Sequence, residues 1–378
     1  MSSIRIRLVT VALITAMTAA ACSGSSSPTP LPTAAPTAAA SSAAVASNAL
    51  PSPTPAASRS WTGLLKMNVV EDWNYGGPPW QIWLYPDAQG WYKDAGLDIN
   101  WVIPPNPSDQ PKFLATGQAD MGFTYTPDTL IAESTGLDYQ AVSSLIGVPS
   151  ENLTCRANDG ISSPKDLEGK KVAEYDSPLP QVQFKIFANK QGVDLSKVQA
   201  VSAGDNGYPI MLAGQADCTQ AGVFEPDTYK ANTGKDAVTF YYTKWGLPNW
   251  YWEVIGANRK FAQAHPDAVQ AFIDVTLRGY QWAQQNVQAG VNFIYTKFPE
   301  TKPASGPDYN VTAMQDMFGR QFDYVPGKPP GYMDTGIWQT FADLMLANGV
   351  ITQKLDVTKF VTMDYLPPGN SVNPSPSP

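Results

Sequence analysis

Flat aromatic side chains crowd one short segment of the chain, Val69–Trp83, which reads VVEDWNYGGPPWQIW. The glycine and proline pairs within it mark a loop outside regular secondary structure, and the residues just before it alternate as a β-strand does. Rings in a loop that follows a strand are poorly placed to fill a core. We therefore interpret four side chains of this segment as ligand-binding residues: Trp73, Asn74, Tyr75 and Trp80.

A helix–turn–strand phrase occurs twice, as FLATGQADMGFTYTPDTL at 113–130 and as MLAGQADCTQAGVFEPDTY at 211–229. Each copy has Gly-Gln-Ala-Asp, a short strand and Pro-Asp-Thr opening a helix. Gly117 and Gly214 stand where a helix ends with a positive φ. Convergence on a common phrase of α/β proteins is one interpretation, but the length of the match favours two lobes of similar build.

The order of the predicted elements indicates an α/β fold. Strands alternate with helices in both halves, which implies in each lobe a mainly parallel sheet flanked by helices. We assign residues 61–150 and 251–369 to the first lobe and 151–250 to the second, with hinges near Val148–Thr154 and Trp245–Tyr251. Ligands of such sheets bind outside the carboxyl ends of the strands, so we expect the lobes to enclose a cleft.

Polar and aromatic side chains at the ends of other predicted strands complete this cleft. A carboxylate such as Glu225, and with it Glu253, would accept hydrogen bonds from the N–H groups of a ring, while flat side chains stack on that ring. For Trp83, Trp91 and Trp101, core packing is the favoured interpretation. The remaining candidate ligand-binding residues are Tyr125, Thr126, Asp176, Ser177, Gln181, Glu225, Trp250, Tyr251 and Trp252.

The N-terminus carries the signals of an exported lipoprotein. Arg5 and Arg7 precede an apolar run, Leu8–Ala21, that is too short to span a bilayer but fits a signal peptide. The run is followed by Cys22, which resembles the bacterial lipoprotein signal with lipidation at the cysteine; a plain secretory signal is the alternative. We expect residues 1–22 to be a signal peptide and the protein to lie outside the cytoplasm, anchored to the bacterial cell membrane.

Two segments have the composition of unstructured chain. Residues 23–60 consist almost only of Ser, Pro, Thr and Ala. Such a stretch buries too little apolar surface to offset the entropy of ordering it, and we interpret it as a tether. Residues 370–378 form a similar tail.

Composition argues against several classes of function. The formal net charge of −8 argues against nucleic acid as a partner. With one histidine, His265, the chain lacks the side chains for a multi-histidine metal site, and the position of that histidine before Pro266 indicates a structural role. We therefore predict no catalytic residue, no metal and no cofactor. Outside the cytoplasm, Cys155 and Cys218 either form a disulfide or remain two buried thiols.

Four phrases together resemble a known family: LYPDAQGWYKDAGLDINWV, FLATGQADMGF, ISSPKDLEGKKVAEY and HPDAVQAFIDVTLRGYQWA. They are similar to the periplasmic substrate-binding proteins of ABC importers, in the branch shared by alkanesulfonate binders and binders of thiamine pyrimidine precursors. The resemblance implies the two-lobed type II fold of these proteins, hinge closure on a ligand, and separately encoded permease and ATPase partners. We expect a monomer.

The expected function is capture of a planar aromatic heterocycle, either a thiamine pyrimidine precursor or a flavin, for delivery to a permease. The alternatives are an alkanesulfonate or other small-solute binder, a sensor that signals to a receptor, and a surface enzyme built on the carboxylates Asp128, Glu225 and Asp227. The same branch includes an enzyme that makes the pyrimidine with a cysteine-rich motif and histidine. Because this sequence has no cysteine cluster, we predict that it is not an enzyme.

Overall fold

The computed structural model describes most of the chain beyond residue 58. The described residues are 59–72, 76–106, 108–147, 149, 151–175, 178–204, 206–222, 224–302, 308–320, 328 and 331–367. Several predictions lie outside them: the signal peptide, Cys22, most of the tether, the tail, Trp73, Asn74, Tyr75, Asp176 and Ser177.

The described residues contain ten strands and twelve α-helices. The strands are β1 (Leu65–Val70), β2 (Leu97–Val102), β3 (Met121–Tyr125), β4 (Gln140–Ile146), β5 (Asn152–Cys155), β6 (Lys171–Glu174), β7 (Gln199–Ser202), β8 (Cys218–Ala221), β9 (Val238–Tyr241) and β10 (Glu253–Ala257). The helices are α1 (Gln81–Ala88), α2 (Trp91–Asp94), α3 (Gln110–Thr116), α4 (Thr126–Ser134), α5 (Pro178–Lys190), α6 (Gly207–Leu212), α7 (Phe224–Thr233), α8 (Arg259–Ala264), α9 (Pro266–Gln285), α10 (Val287–Lys297), α11 (Asn310–Arg320) and α12 (Thr335–Ala347).

The strands form two five-stranded sheets. The first sheet has the order β2-β1-β3-β10-β4 and the second the order β7-β6-β8-β5-β9. In the first sheet β1 runs parallel to β2 and β3, while β10 is antiparallel to β3 and β4. In the second sheet β6 runs parallel to β7 and β8, while β5 is antiparallel to β8 and β9. The predicted two-lobed α/β class is confirmed, with sheets that are mixed rather than wholly parallel.

The two Gly-Gln-Ala-Asp phrases take the same position in the two sheets. Both lead into a central strand, and Gly117 and Gly214 both have positive φ, 74° and 78°. The side chain of Asp120 accepts the backbone N–H of Asn68 on β1 at 2.8 Å, and that of Asp217 accepts the N–H of Lys171 on β6 at 2.8 Å. The repeated sequence therefore builds the same connection between neighbouring parallel strands twice.

The core of the first sheet lies under α1, α9 and α10. Trp83 is fully buried there and its ring stacks on that of Phe123, with centroids 4.0 Å apart. Trp91 and Trp101 are half-buried against the same cluster. Core packing of these three tryptophans is confirmed.

A second buried cluster extends across both sheets. It joins Leu153 of β5 to Val254 of β10 and includes Trp338 and Phe341 of α12. The chain passes twice between the sheets, from β4 to β5 and from β9 to β10, and this apolar cluster packs beside both crossings. This apolar packing therefore holds both crossings against α12.

Cys155 and Cys218 form a disulfide. The two residues are paired across β5 and β8, and both are fully buried. The bond ties the strand that follows the first crossing to the central strand of the second sheet.

Candidate functional site

Acidic and aromatic residues meet at one edge of the first sheet, which we call the first edge: Glu71, Asp72, Tyr125 and Glu253. Glu71 and Asp72 directly follow β1, and Tyr125 is the last residue of the parallel strand β3. Glu253 begins β10 and pairs with Tyr125, because β10 runs antiparallel to β3. Parallel strands end at the same edge of a sheet, so all four side chains start from one place.

Indole and phenol groups hold two of these carboxyls. Trp80 Nε1 donates to Asp72 Oδ1 at 2.5 Å, and Tyr125 OH donates to Asp72 Oδ2 at 3.2 Å. Trp83 Nε1 donates to Glu71 Oε2 at 2.6 Å. The aromatic residues of the opening segment thus orient carboxyl groups as well as presenting rings.

Burial dominates the electrostatics of the first edge. Glu71, Asp72 and Glu253 are all nearly inaccessible to solvent. Desolvation raises the pKa of Asp72 to about 6, against the lowering effect of the Trp80 and Tyr125 hydrogen bonds. Burial first, and then the neighbouring carboxylates, raise the pKa of Glu71 and of Glu253 well above the usual carboxyl range. Carboxyls so close in a dry site cannot all be ionised at once.

Two side chains at the first edge have acceptor atoms that no described donor reaches. They are both carboxylate oxygens of Glu253 and Oε1 of Gln110, all of them buried. Gln110 opens α3, and its Nε2 donates to the backbone carbonyl of Asp72, which fixes the amide beside the acids. Buried polar atoms are normally hydrogen-bonded, so these acceptors indicate a position for a donor-bearing ligand. No local sequence pattern pointed to Gln110, whereas Glu253 was predicted from its place after an aromatic run.

A second edge, at the carboxyl ends of β6 and β8 in the second sheet, is formed by Tyr175, Gly222 and Glu225. Tyr175 follows β6, and its OH donates to Glu225 Oε1 at 3.5 Å. Glu225 Oε2 accepts the backbone N–H of Gly222 at 2.7 Å, just beyond β8. Burial raises the pKa of the Glu225 carboxyl. Gln181, on the exposed side of α5, donates through Nε2 to the carbonyl of Tyr175 at 2.7 Å.

Contacts bring the two edges together. Phe224, the residue before Glu225, packs against the core cluster of the first sheet. Helix α11 contacts both α7, which begins at the second edge, and the 3₁₀ turn Pro78–Trp80, which belongs to the first. The two carboxyl-bearing edges are therefore linked through α11 and through the core of the first sheet.

The predicted site residues divide into three groups. Trp80 and Tyr125 belong to the first edge, and the half-buried Trp252 lies beside it, its ring 5.8 Å from that of Tyr125. Gln181 and Glu225 belong to the second edge. Thr126 is buried beneath the crossing, where its hydroxyl donates to the carbonyl of Tyr251 at 2.6 Å.

Trp250 and Tyr251, which were predicted to bind ligand, lie in the core beside the crossing, and their part in binding stays a prediction. Trp250 is fully buried and stacks on Phe341 of α12, with centroids 4.7 Å apart. Tyr251 is buried against Trp338, and its OH accepts the backbone N–H of Asp334. Apolar packing between the crossing and α12 holds both rings in the core, which a linear sequence does not reveal because α12 is so distant along the chain.

Metal-binding clusters and membrane-spanning helices are both absent from the described residues. These residues contain no group of three or more His, Cys, Asp or Glu side chains arranged to hold a metal ion. Nor do they contain a helix with the length and apolar character needed to cross a membrane.

The fold and its two edges define a class of protein: two α/β lobes joined by two crossings, as in periplasmic binding proteins. The alkanesulfonate-binding protein SsuA from Xanthomonas axonopodis pv. citri, bound to MOPS, has the same fold, with a TM-score of 0.59 at 15% identity over 80% of this chain and 99% of that one. At that identity the likeness establishes the fold alone.

The chain belongs to the NMT1/THI5-like family, whose sequence model matches residues 82–289. It is 26% identical over 213 residues to the formylaminopyrimidine-binding protein of Halalkalibacterium halodurans, a match that covers 56% of this chain and 64% of that protein. It is 27% identical over 145 residues to the 4-amino-5-hydroxymethyl-2-methylpyrimidine phosphate synthase of Schizosaccharomyces pombe, covering 38% and 42%. The chain thus matches less than two thirds of the length of either relative. The predicted family resemblance is confirmed.

Proposed function

We propose that this protein is a solute-binding protein that encloses a small planar nitrogen heterocycle between its two lobes and delivers it to an ABC importer. The observation that carries the proposal is the pair of edges, one on each sheet, in which buried or half-buried carboxyls lie beside indole and phenol rings. Rings stack on a flat ligand, and the carboxyls accept hydrogen bonds from its N–H groups.

The polarity of the edges favours a donor-bearing heterocycle over a sulfonate. The named residues contribute four carboxyls, those of Glu71, Asp72, Glu225 and Glu253, and no guanidinium group. A sulfonate offers only acceptor oxygens and a permanent negative charge, and these residues give it no cation with which to pair. The formylaminopyrimidine-binding relative supports a pyrimidine as the ligand; a flavin is the larger alternative.

Hinge closure is the mechanism that fits this architecture. Among the described residues, the strands of the two sheets are connected covalently at two places. The chain passes from Ile146 to Asn152 and from Tyr241 to Glu253. Ligand contacts from both edges would stabilise a closed state. Lipidation at Cys22 would keep the closed protein near the permease and ATPase that receive the ligand.

Binding without turnover is the proposed outcome, although one relative is named as a synthase. The only histidine, His265, lies between α8 and α9 and contacts the ring of Phe261 at 5.0 Å. Its electrostatic partners are Asp120, which precedes β3, and Asp267. It therefore lies at the end of β3 opposite the first edge and cannot serve there as an acid or base.

Calorimetric titration of the purified protein tests the proposal. An aminopyrimidine or riboflavin is expected to bind, and a short alkanesulfonate is not. Glu225→Gln should weaken binding about tenfold or more, because a hydrogen bond to a charged acceptor is lost. Glu168→Gln, at a half-buried site of the second lobe where the carboxylate pairs with Lys165 and Lys197, should leave it unchanged. Tight sulfonate binding with no response to either heterocycle would overturn the proposal.

A further inference from the structure

Glu253 is a buried acid whose hydrogen-bond partner among the described residues is another acid, Asp72. It is 1% exposed, and neither carboxylate oxygen has a donor among the described residues. The neighbouring acid Asp72, by contrast, receives both Trp80 and Tyr125. The indole and phenol donors at the first edge thus bind Asp72 and Glu71, and none of them reaches the two carboxylate oxygens of Glu253.

Among the described residues, the titratable groups that interact with Glu253 come from three elements and none of them is a cation. Asp72 and Glu71 face it from the segment after β1, and both disfavour its negative charge. Tyr125 on β3 and Tyr280 on α9 are close enough to feel its charge. Burial adds to this repulsion, and both raise the pKa of the Glu253 carboxyl and so favour its protonated form.

A protonated carboxyl has a definite pattern: one O–H donor next to one carbonyl acceptor. The complementary pattern is a ring nitrogen acceptor next to an exocyclic amino donor, the edge of a cyclic amidine. The amide oxygen of Gln110, fixed beside Asp72 and without a donor, is available to a second N–H of the amino group or a neighbouring one.

We propose that Glu253 is the specificity-determining residue of the cleft and that its carboxyl, in the protonated form, binds the cyclic-amidine edge of a planar heterocycle. Its O–H donates to the ring nitrogen and its other oxygen accepts from the amino group. The proton moves from Glu253 to the ring nitrogen, giving a carboxylate–amidinium pair with no net uptake or release. This inference rests on the proposed function and names the ligand class for that site.

The pH dependence of binding is the first test. Above the pKa of the free ligand, affinity should fall as pH rises through the pKa of Glu253, approaching tenfold per pH unit, because each binding event needs that proton. Glu253→Gln keeps a donor next to an acceptor in the same shape, so it should still bind but lose the pH dependence. Glu133→Gln is the matched control. Glu133 lies on α4, away from the cleft, and burial raises its pKa to about 7.

Infrared difference spectra provide the second test. Addition of 4-aminopyrimidine should remove a protonated-carboxyl band in the wild type and in Glu133→Gln, but not in Glu253→Gln. Pyrimidine without the amino group should bind at least tenfold more weakly to the wild type. A pH-independent wild type, or a slope that persists in Glu253→Gln, would overturn the inference and leave the proposed function standing. If no heterocycle binds at any pH, the proposed function itself fails.

Discussion

At the scale of single residues, the tryptophans of the opening segment serve two purposes that the sequence does not separate. Trp83 and Trp80 are both buried, yet each gives its indole N–H to a carboxyl, Glu71 or Asp72. An aromatic ring in a core normally stabilises the fold only through the apolar surface that it buries. These two indoles also offset part of the free-energy cost of burying a carboxyl, because each donates a hydrogen bond to it. Both positions therefore require tryptophan rather than any other large apolar residue, because the indole N–H is needed as a donor.

Replacing Trp83 by phenylalanine tests this interpretation. Much of the ring packing on Phe123 is retained, but Glu71 loses its donor, and a buried acceptor without a partner costs about 1–3 kcal/mol. We expect a loss of unfolding free energy of that size in urea titration. The control is Trp101→Phe, whose half-buried indole donates to the partly exposed Asp87 and should cost less. Equal losses in the two variants would contradict a special contribution of the Glu71 contact.

At the scale of elements, local sequence patterns predicted the helices and strands well, whereas contacts between residues far apart along the chain were not predicted. Pro266 begins α9 and Asp334 caps α12 through the N–H of Gly336, as their residue types indicate. The repeated phrase gave the central strand of each sheet, because capping glycines and alternating strands are encoded within a few residues. The site residues were harder to predict. Gln110 binds Asp72 across 38 positions of the sequence, and no local sequence pattern marks its amide as part of a site.

The packing of the crossing between β9 and β10 against α12 can be tested by substitution. Trp250 fills a core shared with α12, so Trp250→Ala should create a cavity and lower the unfolding free energy by about 3–5 kcal/mol. Trp245, a few residues earlier, is 36% exposed, and Trp245→Ala should cost far less. Thermal unfolding monitored by circular dichroism compares the two. If Trp250→Ala were as stable as the wild type yet lost ligand binding, the residue would belong to the cleft after all.

At the scale of the whole molecule, buried acids determine how stability responds to pH. Burial raises the pKa of Asp72 to about 6 and that of Asp128, on α4, to about 7. The unfolded chain loses these protons near pH 4, so between the two values the folded state binds more protons than the unfolded state. The free energy of unfolding therefore falls as pH rises over this range. Asp166 and Glu168 have lowered pKa values, about 2, and act in the opposite direction only below about pH 4.

The variant Asp128→Asn isolates one of these contributions. A carboxyl with a pKa near 7 when folded and near 4 when unfolded lowers the unfolding free energy by about 4 kcal/mol above pH 7. We expect urea titrations of the wild type to give a larger unfolding free energy at about pH 5 than at about pH 8, and Asp128→Asn to flatten that difference. Asp343→Asn, on the exposed side of α12, should leave the slope unchanged. A wild type that becomes more stable as pH rises through this range would show that these acids are ionised in the folded protein. Glu253 would then lack the proton on which the proposed amidine recognition depends.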